Sequence, residues 1–138
     1  MKKYRCGRID YSVLNKKPLP HELATAKYFA DLGFDVFFMQ PSNITGTNNP
    51  DFVMCGKIWE TKSPAGKSQR TFEDDFRKAM KQSEHIIFDL RRKADSQVKW
   101  CIQKLRKQSS TPKIKTLLVI TRKELLILKG KFDIIKTR

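Results

Sequence analysis

Apolar positions change their spacing several times along the chain, and each change marks a predicted element. From Pro20 to Gly33, Leu23, Ala26, Phe29 and Ala30 recur at helical spacing, with proline at the start and glycine as the stop. The next stretch, "FDVFFMQ" (34–40), is aromatic and β-branched and reads as a strand, and "PSNITGTNN" (41–49) reads as a loop. "PDFVMC" and "KIWETK" follow as two strands about Gly56, and "SPAGKSQR" is again a loop. Thr71, with Asp74 three residues on, predicts the capped start of a second helix, whose buried stripe is Phe72, Phe76, Ala79 and Met80. "HIIFDL" (85–90) has the composition of a buried strand, and residues 94–107 place Ala94, Val98, Cys101, Ile102 and Leu105 on one helical face. "TLLVIT" (116–121), "LLIL" (125–128) and "FDII" (132–135) are predicted strands, the last two joined by a hairpin at Lys129-Gly130. The element order is α, β, β, β, α, β, α, β, β, β. It describes a mixed α/β domain over residues 19–138, preceded by a basic, weakly patterned arm at 1–18.

The hairpin at 49–64, "NPDFVMCGKIWETKSP", breaks the apolar pattern with Asp51, Glu60 and Lys62. A two-residue turn at Cys55-Gly56 sets Met54 opposite Lys57, Val53 opposite Ile58 and Asp51 opposite Glu60. Opposed residues share a face of the sheet, and Lys62, two residues beyond Glu60, shares it too. Facing carboxylates repel, and unpaired buried charge costs several kcal/mol. Lys62 can offset one acid, whereas a divalent cation offsets both, and carboxylates suit Mg²⁺ and Mn²⁺. A surface hairpin with all three groups in water is the competing reading, against which stand its Phe, Val, Met, Ile and Trp residues. Glu22 lies at the edge of the first helix's apolar stripe. It can serve the helix dipole or join the two acids.

The distribution of charge adds a class of partner. Residues 1–90 carry 14 Lys/Arg against 11 Asp/Glu, and residues 91–138 carry 15 against 3, within a net charge of +15. A basic C-terminal stretch of that kind is the footprint of a polyanion binder. The basic start of the chain has no apolar stretch behind it and does not read as a signal peptide. No apolar run approaches the ~20 residues of a membrane span. Cys6, Cys55 and Cys101 are odd in number and scattered, which predicts reduced buried thiols rather than a disulfide framework or zinc site. These features predict a cytoplasmic working environment.

"PD" at 50–51, eight intervening residues and "ETK" at 60–62 resemble the signature of the PD-(D/E)xK nucleases, a superfamily of metal-dependent phosphodiesterases. The resemblance implies a restriction-endonuclease-like αβββαβ core over about residues 20–90, with a C-terminal helix and β-hairpin added. It implies that Asp51, Glu60 and the Thr61 carbonyl hold Mg²⁺ (or Mn²⁺), with Glu22 binding directly or through water, and that Lys62 acts on the attacking water or the developing charge. Glu22, Asp51, Glu60 and Lys62 are then the catalytic set. Ser63, Lys67, Lys78, Lys81, Gln82 and the run Arg91-Arg92-Lys93 are the substrate-binding candidates. "KAMKQSEHIIFDL" (78–90) is similar to the helix-strand segment of C-terminal nuclease domains in bacterial contact-dependent inhibition toxins, many of which cleave tRNA. That likeness implies an RNA substrate ahead of DNA, delivery to the cytoplasm within a larger toxin, and an acidic immunity protein as partner. A DNA endonuclease, a non-catalytic nucleic-acid binding module and a protein-interaction domain are the alternatives.

Three other motifs are weaker. "AGKS" (65–68) lacks the glycine of a P-loop, with Thr61 in its place. His21 sits beside Glu22 but suits a helix-start surface position. Trp59 and Trp100 could stack bases, though Trp59, alternating away from Glu60, suits the core.

Overall fold

A computed structural model describes residues 6–40 and 50–133. The loop expected at 41–49, the first five residues of the arm and the end of the strand expected at 132–135 lie outside the described residues. One seven-stranded mixed sheet runs in the order of the chain: β1 (Ile9–Asp10), β2 (Val36–Phe38), β3 (Phe52–Met54), β4 (Lys57–Lys62), β5 (His85–Asp89), β6 (Thr116–Ile120) and β7 (Leu125–Lys129). Helices α1 (Pro20–Asp31), α2 (Gln69–Gln82) and α3 (Asp95–Gln108) cover it. The expected order α, β, β, β, α, β is present from α1 to β5.

Alternation along the strands sorts the core into two layers. On one face, Ala26 and Phe29 of α1 meet Phe52, Met54, Trp59, Ile87, Leu118 and Ile120. On the other, Phe72, Phe76 and Ala79 of α2 and Cys101 and Leu105 of α3 meet Ile86, Phe88, Leu117 and Val119. Trp59 is fully buried, and its indole N–H donates to the Met54 carbonyl at 2.9 Å, as a buried indole requires.

The β3–β4 hairpin has the expected register, with Val53 opposite Ile58 and Met54 opposite Lys57. Cys55 and Gly56 both have positive φ, 55° and 71°, as the two central residues of a tight hairpin turn of the mirror-image type I need. Gly33, with φ 102°, ends α1.

Several boundaries differ from expectation. Ser68, not Thr71, caps α2: its Oγ accepts from the Thr71 N–H at 3.1 Å, and the helix starts at Gln69. The C-terminal hairpin joins β6 to β7 through Thr121–Glu124, with Thr121 N–H donating to the Glu124 carbonyl at 2.9 Å. Residues 131–133 are not a strand. Phe132 instead turns onto the α1 layer against Phe29, Phe34 and Trp59. Of the three thiols, only Cys101 is buried; Cys6 and Cys55 are exposed.

Part of the segment read as an arm joins the sheet, since Ile9 and Asp10 pair parallel with Val36 and Phe37. Gly7 permits this approach. Its N–H donates to the Ala30 carbonyl at 2.7 Å, and a Cβ there would lie 1.9 Å from the Phe34 carbonyl oxygen. Gly7→Ala is expected to lift this segment and cost about 1–3 kcal/mol, read as a lower urea midpoint.

Candidate active site

The strand pairing that buries Trp59 also places the acids. Glu60 and Lys62 point to the α2 face of β4, and Trp59 and Thr61 point to the α1 face. Glu60 is 3% exposed, and Lys62 Nζ lies 3.1 Å from its Oε2. Asp51 is half-buried just ahead of β3, its N–H bonded to the Trp59 carbonyl at 2.9 Å. Its Oδ2 accepts from both the Thr61 N–H at 2.8 Å and the Thr61 hydroxyl at 2.7 Å. Asp51, fixed by Thr61, thus stands within electrostatic reach of Glu60.

The protonation equilibrium of Glu60 reflects that proximity. Burial, then the Asp51 charge, push Glu60 up from 4.5 to about 8, against the pull of Lys62. Burial also raises Asp51, with the two Thr61 bonds opposing, and Glu22 raises it further. Gln82 at the end of α2 reaches Glu60, and with its amide nitrogen turned inward it donates to Oε1 at 2.8 Å.

Glu22 acts on both acids through its charge but is placed at the helix start, where Oε1 accepts the Leu19 N–H at 3.0 Å. Among the described residues no group of three or more His, Cys, Asp or Glu side chains is set to hold a metal ion. The residues that could hold one are the two neighbouring carboxylates of Asp51 and Glu60, with a backbone carbonyl as a further oxygen. Such an oxygen set fits Mg²⁺, which is commonly held by one or two carboxylates while keeping several waters.

The expected substrate-binding residues divide. Lys67, Lys78 and Lys81 are exposed, and Ser63 follows Lys62 directly. The Arg91-Arg92-Lys93 run does not act as one surface patch. Lys93 is 2% exposed, with Nζ bonded to the Gly66 carbonyl at 2.9 Å and set over the Phe72 ring, so it braces the loop before α2 and is not available to substrate. Arg91 is paired in two-pronged fashion with Asp89, and Arg92 donates to the Ser63 carbonyl. Trp100 packs on Phe72. Sequence reasoning missed Asp89. It is 2% exposed and ends an apolar strand, the same anomaly that drew attention to Glu60.

The model of the contact-dependent growth inhibition CdiA C-terminal domain matches residues 48–125 of this sequence, more than half of the chain. The chain belongs to the CdiA C-terminal domain family. Members of this family are toxin domains and generally nucleases. Asp51, Glu60, Lys62, Gln82 and Asp89 of this CdiA C-terminal domain all fall in the matched stretch, and Glu22 falls before it. Its fold is also that of a chain in the solved CdiA-CT/CdiI toxin and immunity complex from Burkholderia pseudomallei. The TM-score is 0.55 at 19% identity, over 90% of this chain and 100% of that one. A search of curated proteins gives no match. No helix among the described residues is long and apolar enough to cross a membrane.

Proposed function

We propose that this domain is a metal-dependent endonuclease that hydrolyses phosphodiester bonds in RNA, with tRNA as the favoured substrate, and that it serves as the toxic part of a larger protein delivered into the cytoplasm of a target cell. The observation that carries this reading is the pair of neighbouring, partly or fully buried carboxylates with Lys62 3.1 Å from Glu60. Two acids raised by burial, Glu60 also by the charge of Asp51 and Asp51 also by that of Glu22, are poorly compensated by one lysine, and a hard divalent cation is the partner that completes them.

Asp51, Glu60 and the Thr61 carbonyl would hold Mg²⁺, with Glu22 adding its charge or a contact through water. When bound, the ion acidifies a water and offsets charge on the phosphoryl group. The protein's own groups do the rest. Thr61 fixes the Asp51 carboxylate with two hydrogen bonds, and Gln82 and Lys62 orient Glu60. The Lys62 ammonium, 21% exposed, stands where negative charge develops on the phosphate oxygens. Exposed Lys67, Lys78 and Lys81 supply phosphate contacts along the strand. The net charge of +15 suits both that substrate and an acidic immunity protein that blocks it. The solved complex whose fold this chain shares pairs its toxin with an immunity protein.

Incubation with total RNA and with plasmid, with Mg²⁺ or with EDTA, tests the reading. RNA is expected to be cut into discrete fragments only with Mg²⁺. Cleavage of plasmid alone would reassign the substrate to DNA. Salt-sensitive binding that EDTA leaves untouched, with neither polymer cut, would make the domain a binding module.

A further inference from the structure

At the ends of the parallel strands β4 and β5, an open cleft of about 550 Å³ separates the start of α1 from the loop after β5. His21 and Ala24 of α1 line it, together with Ser63, Asp89, Arg91 and Arg92. The two arginines have unlike surroundings. Arg91 Nε donates to Asp89 Oδ1 at 2.9 Å, and Nη2 donates to Oδ2 at 2.7 Å and to the Ala24 carbonyl at 3.0 Å. Its guanidinium also covers the Tyr28 ring. Thr25 donates its hydroxyl to the same Asp89 Oδ2 at 2.8 Å. Asp89 and Arg91 together clamp α1 to the sheet, and their charges cancel. Arg92 is exposed, and among the described residues no carboxylate pairs with it. Its Nη1 donates at 2.8 Å to the carbonyl of Ser63, which follows Lys62.

We infer that this cleft is a phosphate subsite for the nucleic-acid strand and that Arg92 is the residue that receives the phosphate next to the one being cut. The inference rests on the nuclease reading for the identity of the scissile phosphate. A guanidinium held through one nitrogen leaves its remaining N–H groups to fork onto phosphate oxygens. The Ser63 carbonyl fixes where that fork stands relative to Lys62. Arg91 and Asp89 are positioning residues: they set the width of the cleft by holding α1, and they carry no net charge to the substrate.

The test is binding of total tRNA to the full chain carrying Asp51→Ala, across a salt series, alongside cleavage by chains with intact Asp51. Arg92→Ala is expected to weaken binding about tenfold and to reduce the slope of log affinity against log salt by about 0.7–0.9, the change for one lost phosphate contact. Arg92→Lys should restore the slope and only part of the affinity, because it keeps the charge and loses the fork. Asp89→Asn is expected to lower the melting temperature without reducing the salt slope, because it frees the Arg91 charge and removes no cation. Unchanged affinity and slope in Arg92→Ala would overturn the subsite and leave Mg²⁺-dependent cleavage by the wild type standing. An affinity loss with an unchanged slope would overturn it as well. Arg92-dependent binding with no cleavage by the wild type would overturn the nuclease reading and keep the subsite.

Discussion

Asp51→Ala is expected to lower RNA cleavage by about a thousandfold or more, and Lys62→Ala by roughly a hundredfold to a thousandfold, while each protein keeps its circular dichroism spectrum. Asp51→Ala removes a carboxylate that Thr61 holds in place with two bonds, and with it half of the acidic pair. Lys62→Ala removes the ammonium beside Glu60. Loss of one preorganised group that stabilises transition-state charge typically costs about 3–4 kcal/mol, a factor of roughly 10²–10³, and loss of a metal ligand adds to it. The Lys62→Ala fold is expected to survive because Glu60, already pushed up to about 8, takes a proton once its partner is gone. Single-turnover cleavage in Mg²⁺ with both variants measures this. Wild-type rates in both would remove the site from the chemistry.

Glu60 should also leave a mark on stability without any substrate. Its folded pKa of about 8 lies above the ordinary 4.5. Between those values the folded protein holds a proton that the unfolded chain has released. Stability therefore falls as pH rises through this window and levels off above about pH 8. Asp51 is raised in the same direction. The cost carried at high pH is on the order of several kcal/mol. Glu60→Gln should accordingly be more stable than the wild type at pH 8 in EDTA, by roughly 2 kcal/mol or more, and its stability should depend less on pH. Added Mg²⁺ should stabilise the wild type increasingly toward pH 8 and leave Glu60→Gln nearly unmoved. Denaturant midpoints from pH 5 to 9 decide it. Parallel pH profiles for the two proteins would show that Glu60 is not the group responsible.

The hairpin was legible in the sequence because its determinants are local. Turn residues at Cys55-Gly56 set the register as far as Phe52 opposite Trp59, and Asp51, just beyond it, bonds to Trp59 and Thr61 on either side of Glu60. The helix stripes were legible for the same reason. What escaped depends on distant partners. Ile9 and Asp10 make too short a strand to show a period, and they pair only because Gly7 lets the chain pass close to Phe34. Lys93 looks like its two basic neighbours in sequence and differs only in the Gly66 carbonyl and Phe72 ring that meet it. Asp89 finds Thr25 from 64 positions away. Glu22 illustrates a divided outcome, since one carboxylate serves the helix start and still acts on the acids electrostatically.

Strand order that follows chain order has a consequence for how the molecule assembles. Each strand from β2 to β7 lies beside the one made before it, so the sheet grows at one margin and no strand must be threaded between two that are already paired. The loops closed at each step are short relative to the chain, which keeps the entropic barrier to each addition low. A chain built this way can acquire its structure progressively from its N-terminal end, with the β3–β4 hairpin that positions both acids in place before the basic C-terminal third has joined it.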